Sequence, residues 1–90
     1  MKIAICDDEP IYIETTSRLL QKWAGEHGIE MQIFTYDNGD DLIAAHTDVC
    51  MDLILLDVIM PLLNGIDTAA ELRANGQDVP IIFLTSSREF

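Results

Sequence analysis

The sequence predicts an α/β fold, a doubly wound parallel sheet with helices on both faces. Three observations lead there. Apolar runs of strand length alternate with stretches of helical period, the pattern that builds parallel sheets through right-handed crossovers. Three of the runs, "KIAIC", "DLILLD" and "IIFLT", are almost continuously apolar, as strands covered on both sides are. Ninety residues, 49% of them hydrophobic, suffice for one small domain with its own core, so a single domain over residues 1–90 is expected.

The elements follow in order. "KIAIC" (2–6) is the first strand, ended by Asp7, Asp8 and Glu9. Pro10 opens a helix to about His27, with Ile13, Thr16, Leu20, Trp23, Ala24 and His27 at helical spacing and Gly28 as its stop. "EMQIFTY" (30–36) alternates and should be the least buried strand. "DNGDD" turns the chain, and Asp37 or Asp40 is expected to cap a short helix through Ala44 and Ala45. "DLILLD" (52–57) is the third strand. "LLNGID" leads into a third helix with an apolar stripe of Ile66, Ala69 and Leu72, closed by "ANG". Pro80 then admits the fourth strand, "IIFLT" (81–85).

Composition removes several function classes. Sixteen Asp and Glu against five Lys and Arg leave a formal charge of −11, which disfavours nucleic acid and anionic membranes and suits cations or basic partners. No apolar run reaches membrane-spanning length, and "MKIAICDDEP" turns acidic too soon for a signal peptide, so a cytoplasmic location is expected. Cys6 and Cys50 are then expected to be reduced, buried small side chains. They lie about six residues out of register, roughly 20 Å along a parallel pair, too far for a disulfide. His27 and His46 read as helix residues of no special role, and Trp23 and the methionines as core or helix-flank residues.

The acids raise the functional question. In open parallel sheets, function collects at the carboxyl ends of the strands. Asp7 and Asp8 end the first strand, Asp57 the third and Thr85 the fourth. Any one strand-end acid is commonly a turn or cap residue, but these four come from three strands and should meet at one rim. Crowded carboxylates repel unless a cation sits among them, and hard oxygen ligands favour Mg²⁺. A carboxylate can also attack phosphorus to give an acyl phosphate. A calcium loop at 37–41 is disfavoured, because the spacing of glycine and closing glutamate is wrong. Neither nucleotide-binding glycine motif occurs.

Together "IAICDDE", "LILLDVIMP", "LNGID" and "IIFLTSS" resemble, in this order and spacing, the receiver domain of two-component response regulators. The resemblance runs through all ninety residues. It implies a flavodoxin-like three-layer fold with strand order 2-1-3-4. It implies a phosphoacceptor, not an enzyme: Asp57 takes a phosphoryl group from a sensor histidine kinase with Mg²⁺ as cofactor, and an output domain responds. By the same resemblance Asp8 binds Mg²⁺ directly, Asp7 acts through a water, and the backbone carbonyl of Ile59 is a further ligand. Thr85 is the switch hydroxyl that contacts the phosphoryl group, while Met60, Pro61 and Gly65 shape the pocket loop. "IIFLTSSREF" also resembles regulators whose output domain is a LytTR-type DNA binder.

The departures bear on activity. A complete receiver continues into a fourth helix, a fifth strand and a fifth helix, and its phosphate-binding lysine ends that strand. No residue here matches the lysine, since Lys2 and Lys22 stand at the wrong ends of their elements. Weak phosphorylation and self-association, through the fourth strand's edge or by exchange of elements between protomers, are therefore expected, and a phosphorylation-deficient protein-binding or dimerisation module is the competing reading. A phosphatase of the haloacid dehalogenase type is more remote, because its second aspartate would fall at Ile59, which cannot transfer a proton.

Overall fold

The computed structural model describes residues 1–84; Thr85, the expected switch hydroxyl, lies outside the described residues. Seven elements alternate: β1 (Lys2–Cys6), α1 (Pro10–Glu26), β2 (Gln32–Tyr36), α2 (Gly39–Asp48), β3 (Leu53–Asp57), α3 (Gly65–Ala74) and β4 (Ile81–Leu84). The strands form one parallel sheet in the order β2-β1-β3-β4, as the resemblance implies. No helix among the described residues is long and apolar enough to cross a membrane.

Side-chain alternation divides the sheet into two cores. Ala4 and Cys6 of β1 and Ile54 and Leu56 of β3 face Leu42 of α2 and Ala69 and Leu72 of α3. Ile3, Ile5 and Leu55 face the other way, with Ile13 and Leu20 of α1 packed against them. The all-apolar reading of β1 and β3 is thus accounted for by helices on both sides. β4 departs from it: Ile82 and Phe83 are about half exposed. Among the described residues β4 is an edge strand, paired only with β3.

Helix ends were read less well than helix bodies. α2 is capped by Asn38, not by Asp37 or Asp40: the Asn38 Oδ1 accepts the Asp41 backbone N–H at 2.8 Å, and the helix runs on to Asp48. Asn64 does the same for α3, accepting from the Asp67 N–H at 2.8 Å. Both caps stand in an Asn-Gly-x-Asp tetrapeptide, the side-chain acceptor satisfying an N–H that the first turn leaves unpaired. Gly28 and Gly76 adopt positive φ just past α1 and α3, where the helix-closing bonds Ile29 N–H to Ala24 O and Gln77 N–H to Leu72 O form.

Ile66 and Cys50 lie elsewhere than expected, while Trp23 takes the helix flank and His46 proves buried in α2. Ile66 is half exposed, and the buried face of α3 is Gly65, Thr68, Ala69 and Leu72. Gly65 is pressed on β3, so a residue one step and about 100° further round must point away. Trp23 and His27 lie on the outer side of α1, packed edge to face at 4.6 Å between ring centroids. Cys50 is exposed, in the turn between α2 and β3, and Cys6 and Cys50 are both free thiols. His46, expected to be unremarkable, is only 2% exposed, and its Nδ1 accepts the Met51 backbone N–H at 3.3 Å.

Candidate functional site

The site begins where three β1 and β3 residues run out of sheet. Cys6 pairs with Leu56 in the β1–β3 ladder, so the next residue on each strand, Asp7 and Asp57, comes level at the carboxyl edge. The Asp7 N–H donates to the Tyr36 carbonyl at 3.1 Å, extending the β1–β2 ladder by one bond. Asp7 and Asp57 are buried, at 4% and 1% exposure, and Asp8 is half-buried. Carboxylate oxygens of Asp7, Asp8 and Asp57 all lie within 4.8 Å of one another. The three acids expected to converge do so.

Local turns aim two of these carboxylates. The Asp7 Oδ1 accepts the Glu9 N–H at 2.9 Å, and the Asp57 Oδ1 accepts the Ile59 N–H at 3.3 Å, in each case two residues on. Such bonds hold a strand-end aspartate over its own turn instead of out in solvent. They also explain why the strands stop. Beyond Cys6 and Asp57 the backbone turns to serve the side chain.

The loop after Asp57 is closed by glycine. The Gly65 N–H donates to the Val58 carbonyl at 3.0 Å, and a Cβ at Gly65 would stand 2.1 Å from the Asp57 carbonyl oxygen. Only a residue without a side chain lets α3 start so close to β3. Of the other expected loop residues, Met60 is buried in the core, Pro61 is exposed, and Ile59 lies half-exposed on the rim. Leu62, beyond them, is almost wholly exposed with φ at 65°, a conformation a branched residue rarely takes.

Eight acids gather at the carboxyl edge. Asp7, Asp8, Glu9, Asp37, Asp40, Asp41, Asp57 and Asp67 all follow strand ends or begin helices at the carboxyl edge. The described Lys and Arg residues lie elsewhere: Lys2 starts β1, Arg18 is at the middle of α1 and Lys22 beyond it, and Arg73 is in the last turn of α3. Arg18 is engaged with Glu14 and Arg73 with the Gln77 carbonyl. Two full charges about 4.8 Å apart would repel by roughly 3 kcal/mol at an effective dielectric constant near 20, a repulsion that a cation held within the cluster would offset.

Its donor set fits one. In an octahedral shell with bonds of about 2.1 Å, neighbouring ligand oxygens are roughly 3 Å apart and opposite ones about 4.2 Å, close to the span of these carboxylates. Three carboxyl oxygens suit a hard divalent ion better than a thiophilic one. Burial first, and then the charges of Asp7, Asp37, Asp57 and Asp41, push the neighbouring Cys6 thiol up to about 12. Burial followed by the neighbouring Cys6 likewise raises the Tyr36 phenol.

Sequence reading missed the supports beneath the acids. Cys6 passed as a filler residue, and the two Asn caps that fix where α2 and α3 begin were not singled out. The Asn-Gly-x-Asp repeat was the available signal for the caps. For Cys6 there was none, because its partners come from distant segments.

The relatives of this chain agree with the geometry. Residues 3–90 match the model of the response regulator receiver domain. The chain is 36% identical over 85 residues to the transcriptional regulatory protein PcoR of Escherichia coli, covering 94% of this chain and 35% of that protein. It is 32% identical over 90 residues to the positive alginate biosynthesis regulatory protein of Pseudomonas aeruginosa, covering all of this chain and again 35% of the other. This chain thus spans about a third of the length of both. The response regulator TrrA of Thermotoga maritima, solved in complex with Mg²⁺ and BeF, superposes with a TM-score of 0.82 at 31% identity, covering 98% of this chain and 71% of that one. With a parallel 2-1-3-4 sheet, an acid cluster at its carboxyl edge and a family match over almost its whole length, the chain belongs to the response regulator receiver domain family.

Proposed function

We propose that Asp57 is the phosphoacceptor of a two-component signalling protein and that Asp7, Asp8 and Asp57 hold Mg²⁺ for the transfer. The observation carrying this reading is the meeting of three carboxylates, two of them buried, within 4.8 Å at the end of β1 and β3. The receiver resemblance assigns the nucleophile to Asp57, whose carboxylate stands at the strand end beside the other two acids and accepts the Ile59 N–H. Its oxygen attacks the phosphorus of a phosphohistidine on the partner kinase, the P–N bond breaks, and the imidazole leaves. By the receiver resemblance Asp8 and Asp57 would hold the ion directly and Asp7 through a water, with the Ile59 carbonyl as a further oxygen donor. The ion, when bound, screens the approach of two anions and stabilises charge on the transferring group.

Gly65 and the buried Met60 keep the loop closed over β3, so the Asp57 carboxylate is presented in a single orientation. Thr85 follows β4 by one residue, which in the receiver reading makes it the hydroxyl that meets the phosphoryl group. The added charge then shifts the equilibrium between two arrangements of the domain, which an output domain reads. The length of the transcriptional relatives, nearly three times this chain, supports an output domain that binds DNA. Of the ten residues carrying the LytTR resemblance, six (85–90) lie outside the described residues.

Incubation with acetyl phosphate and Mg²⁺ tests the proposal by intact mass. One phosphoryl group should appear, be absent without Mg²⁺, and be lost in Asp57→Asn. A gain that survives Asp57→Asn would move the acceptor to another residue.

A further inference from the structure

Cys6 is the last residue of β1, is completely buried, and immediately precedes Asp7 and Asp8. Its Sγ lies 3.3 Å from the Asn38 carbonyl oxygen and 3.7 Å from the Met60 Sδ. One thiol proton serves one acceptor at a time, and the carbonyl is the stronger, so the S–H donates to Asn38 and the two sulfurs meet as a packed contact.

Each of these partners governs a segment of the acid rim. Asn38 is the N-cap of α2, and its carbonyl also accepts the Leu42 N–H at 3.4 Å, so the end of β1 and the first turn of α2 share one acceptor. Met60 is three residues beyond Asp57, in the loop that the Gly65-to-Val58 bond closes. One sulfur therefore touches the segments after β2 and β3 while its own backbone carries Asp7 and Asp8. Separately, Gly39 is packed so closely on Thr68 of α3 that a Cβ would stand 2.1 Å from its Oγ1. α2 and α3 are thus packed in close contact at the end of the helix that Asn38 caps.

We propose that Cys6 is a positioning residue for the acid cluster, its sulfur tying the end of β1 to the head of α2 and to the loop after Asp57 so that the three carboxylates are held as one set. The proposal rests on the Mg²⁺ reading above for its readout. Serine keeps the donor to Asn38 on a shorter bond, whereas valine fills the space and donates nothing.

Calorimetric titration with Mg²⁺ alone, on the full ninety-residue chain, separates the outcomes, with urea unfolding of each variant as the control for folding. Cys6→Val should bind Mg²⁺ about tenfold more weakly than wild type, the lower end of what losing an outer support costs a metal site. Cys6→Ser should recover most of that loss. Met60→Leu, which removes the sulfur contact from the other side at similar volume, should also weaken binding and covers the case in which Cys6→Val does not fold. Wild-type affinity in Met60→Leu and in folded Cys6→Val overturns the tie while leaving the acid site standing. A wild-type chain that does not bind Mg²⁺ overturns the acid-site reading itself, and the tie with it.

Discussion

Gly65→Ala puts the close approach of α3 to the end of β3 to the test. The added Cβ would lie 2.1 Å from the Asp57 carbonyl oxygen, 2.8 Å from its carbon and 2.9 Å from the Val58 Cα. To reach even a tight 3.0 Å from the oxygen, α3 or the end of β3 must retreat by about 0.9 Å, the difference of 3.0 and 2.1. All three atoms are backbone, so no side chain can swing aside. Overpacking of this kind costs about 1–3 kcal/mol. The retreat also draws apart the 3.0 Å bond from the Gly65 N–H to the Val58 carbonyl, worth about 1 kcal/mol. Alanine returns up to about 1 kcal/mol in helix propensity. A net loss of roughly 2 kcal/mol remains, which for a domain of this size lowers Tm by about 8–16 °C.

Urea and thermal unfolding of three alanine variants check the reasoning. Gly25→Ala, in α1 with nothing within 4 Å of the new Cβ, should gain about 0.5–1 kcal/mol. Gly39→Ala meets the Thr68 side chain, so Thr68→Ala should rescue part of its loss in a double-mutant cycle. Gly65→Ala has no such rescue. If Gly65→Ala is as stable as wild type, the close approach of α3 to β3 is not what glycine serves here.

Two further predictions concern Leu62 and the cysteines. Leu62 is 99% exposed at φ 65°, so Leu62→Asn gives up no buried surface and should raise stability by about 1 kcal/mol in urea unfolding. A thiol reagent at pH 8 should modify one cysteine per native chain, Cys50, and reach Cys6 only on unfolding. The folded Cys6 thiol, at about 12, holds its proton above the ordinary 9.0, so its contribution to stability is complete below pH 9 and is lost as pH rises from 9 to 12. Wild type should lose up to about 1.4 kcal/mol per pH unit more steeply there than Cys6→Val, as followed by urea unfolding at each pH. The raised Tyr36 phenol acts in the same direction, and Cys6→Val keeps the part of its rise that comes from burial.

The convergence of Asp7, Asp8 and Asp57 was legible because strand-end position is a one-dimensional property. A parallel sheet brings every strand's carboxyl end to one edge, so counting to the end of an apolar run locates the rim. Ile66 and Cys50 were misread for the opposite reason. Apolar character says that a side chain gains by burial, not that a neighbour is there to bury it, and which arc of α3 meets the sheet depends on where Gly65 lets the helix begin. His46 shows the same limit from the polar side. A histidine facing the core is tolerable only because the Met51 N–H, brought round by the turn into β3, donates to it.

Hydrophobic period, chain punctuation and the order of the four motifs were enough to establish a parallel α/β receiver with its acids on one edge, since these depend on residues near one another in the chain. Distances were decided only on folding. The carboxylates' mutual approach, the thiol proton kept on Cys6 and the glycine-sized gap above Asp57 each depend on atoms dozens of residues distant, or across a helix, brought into contact by the packing of three layers.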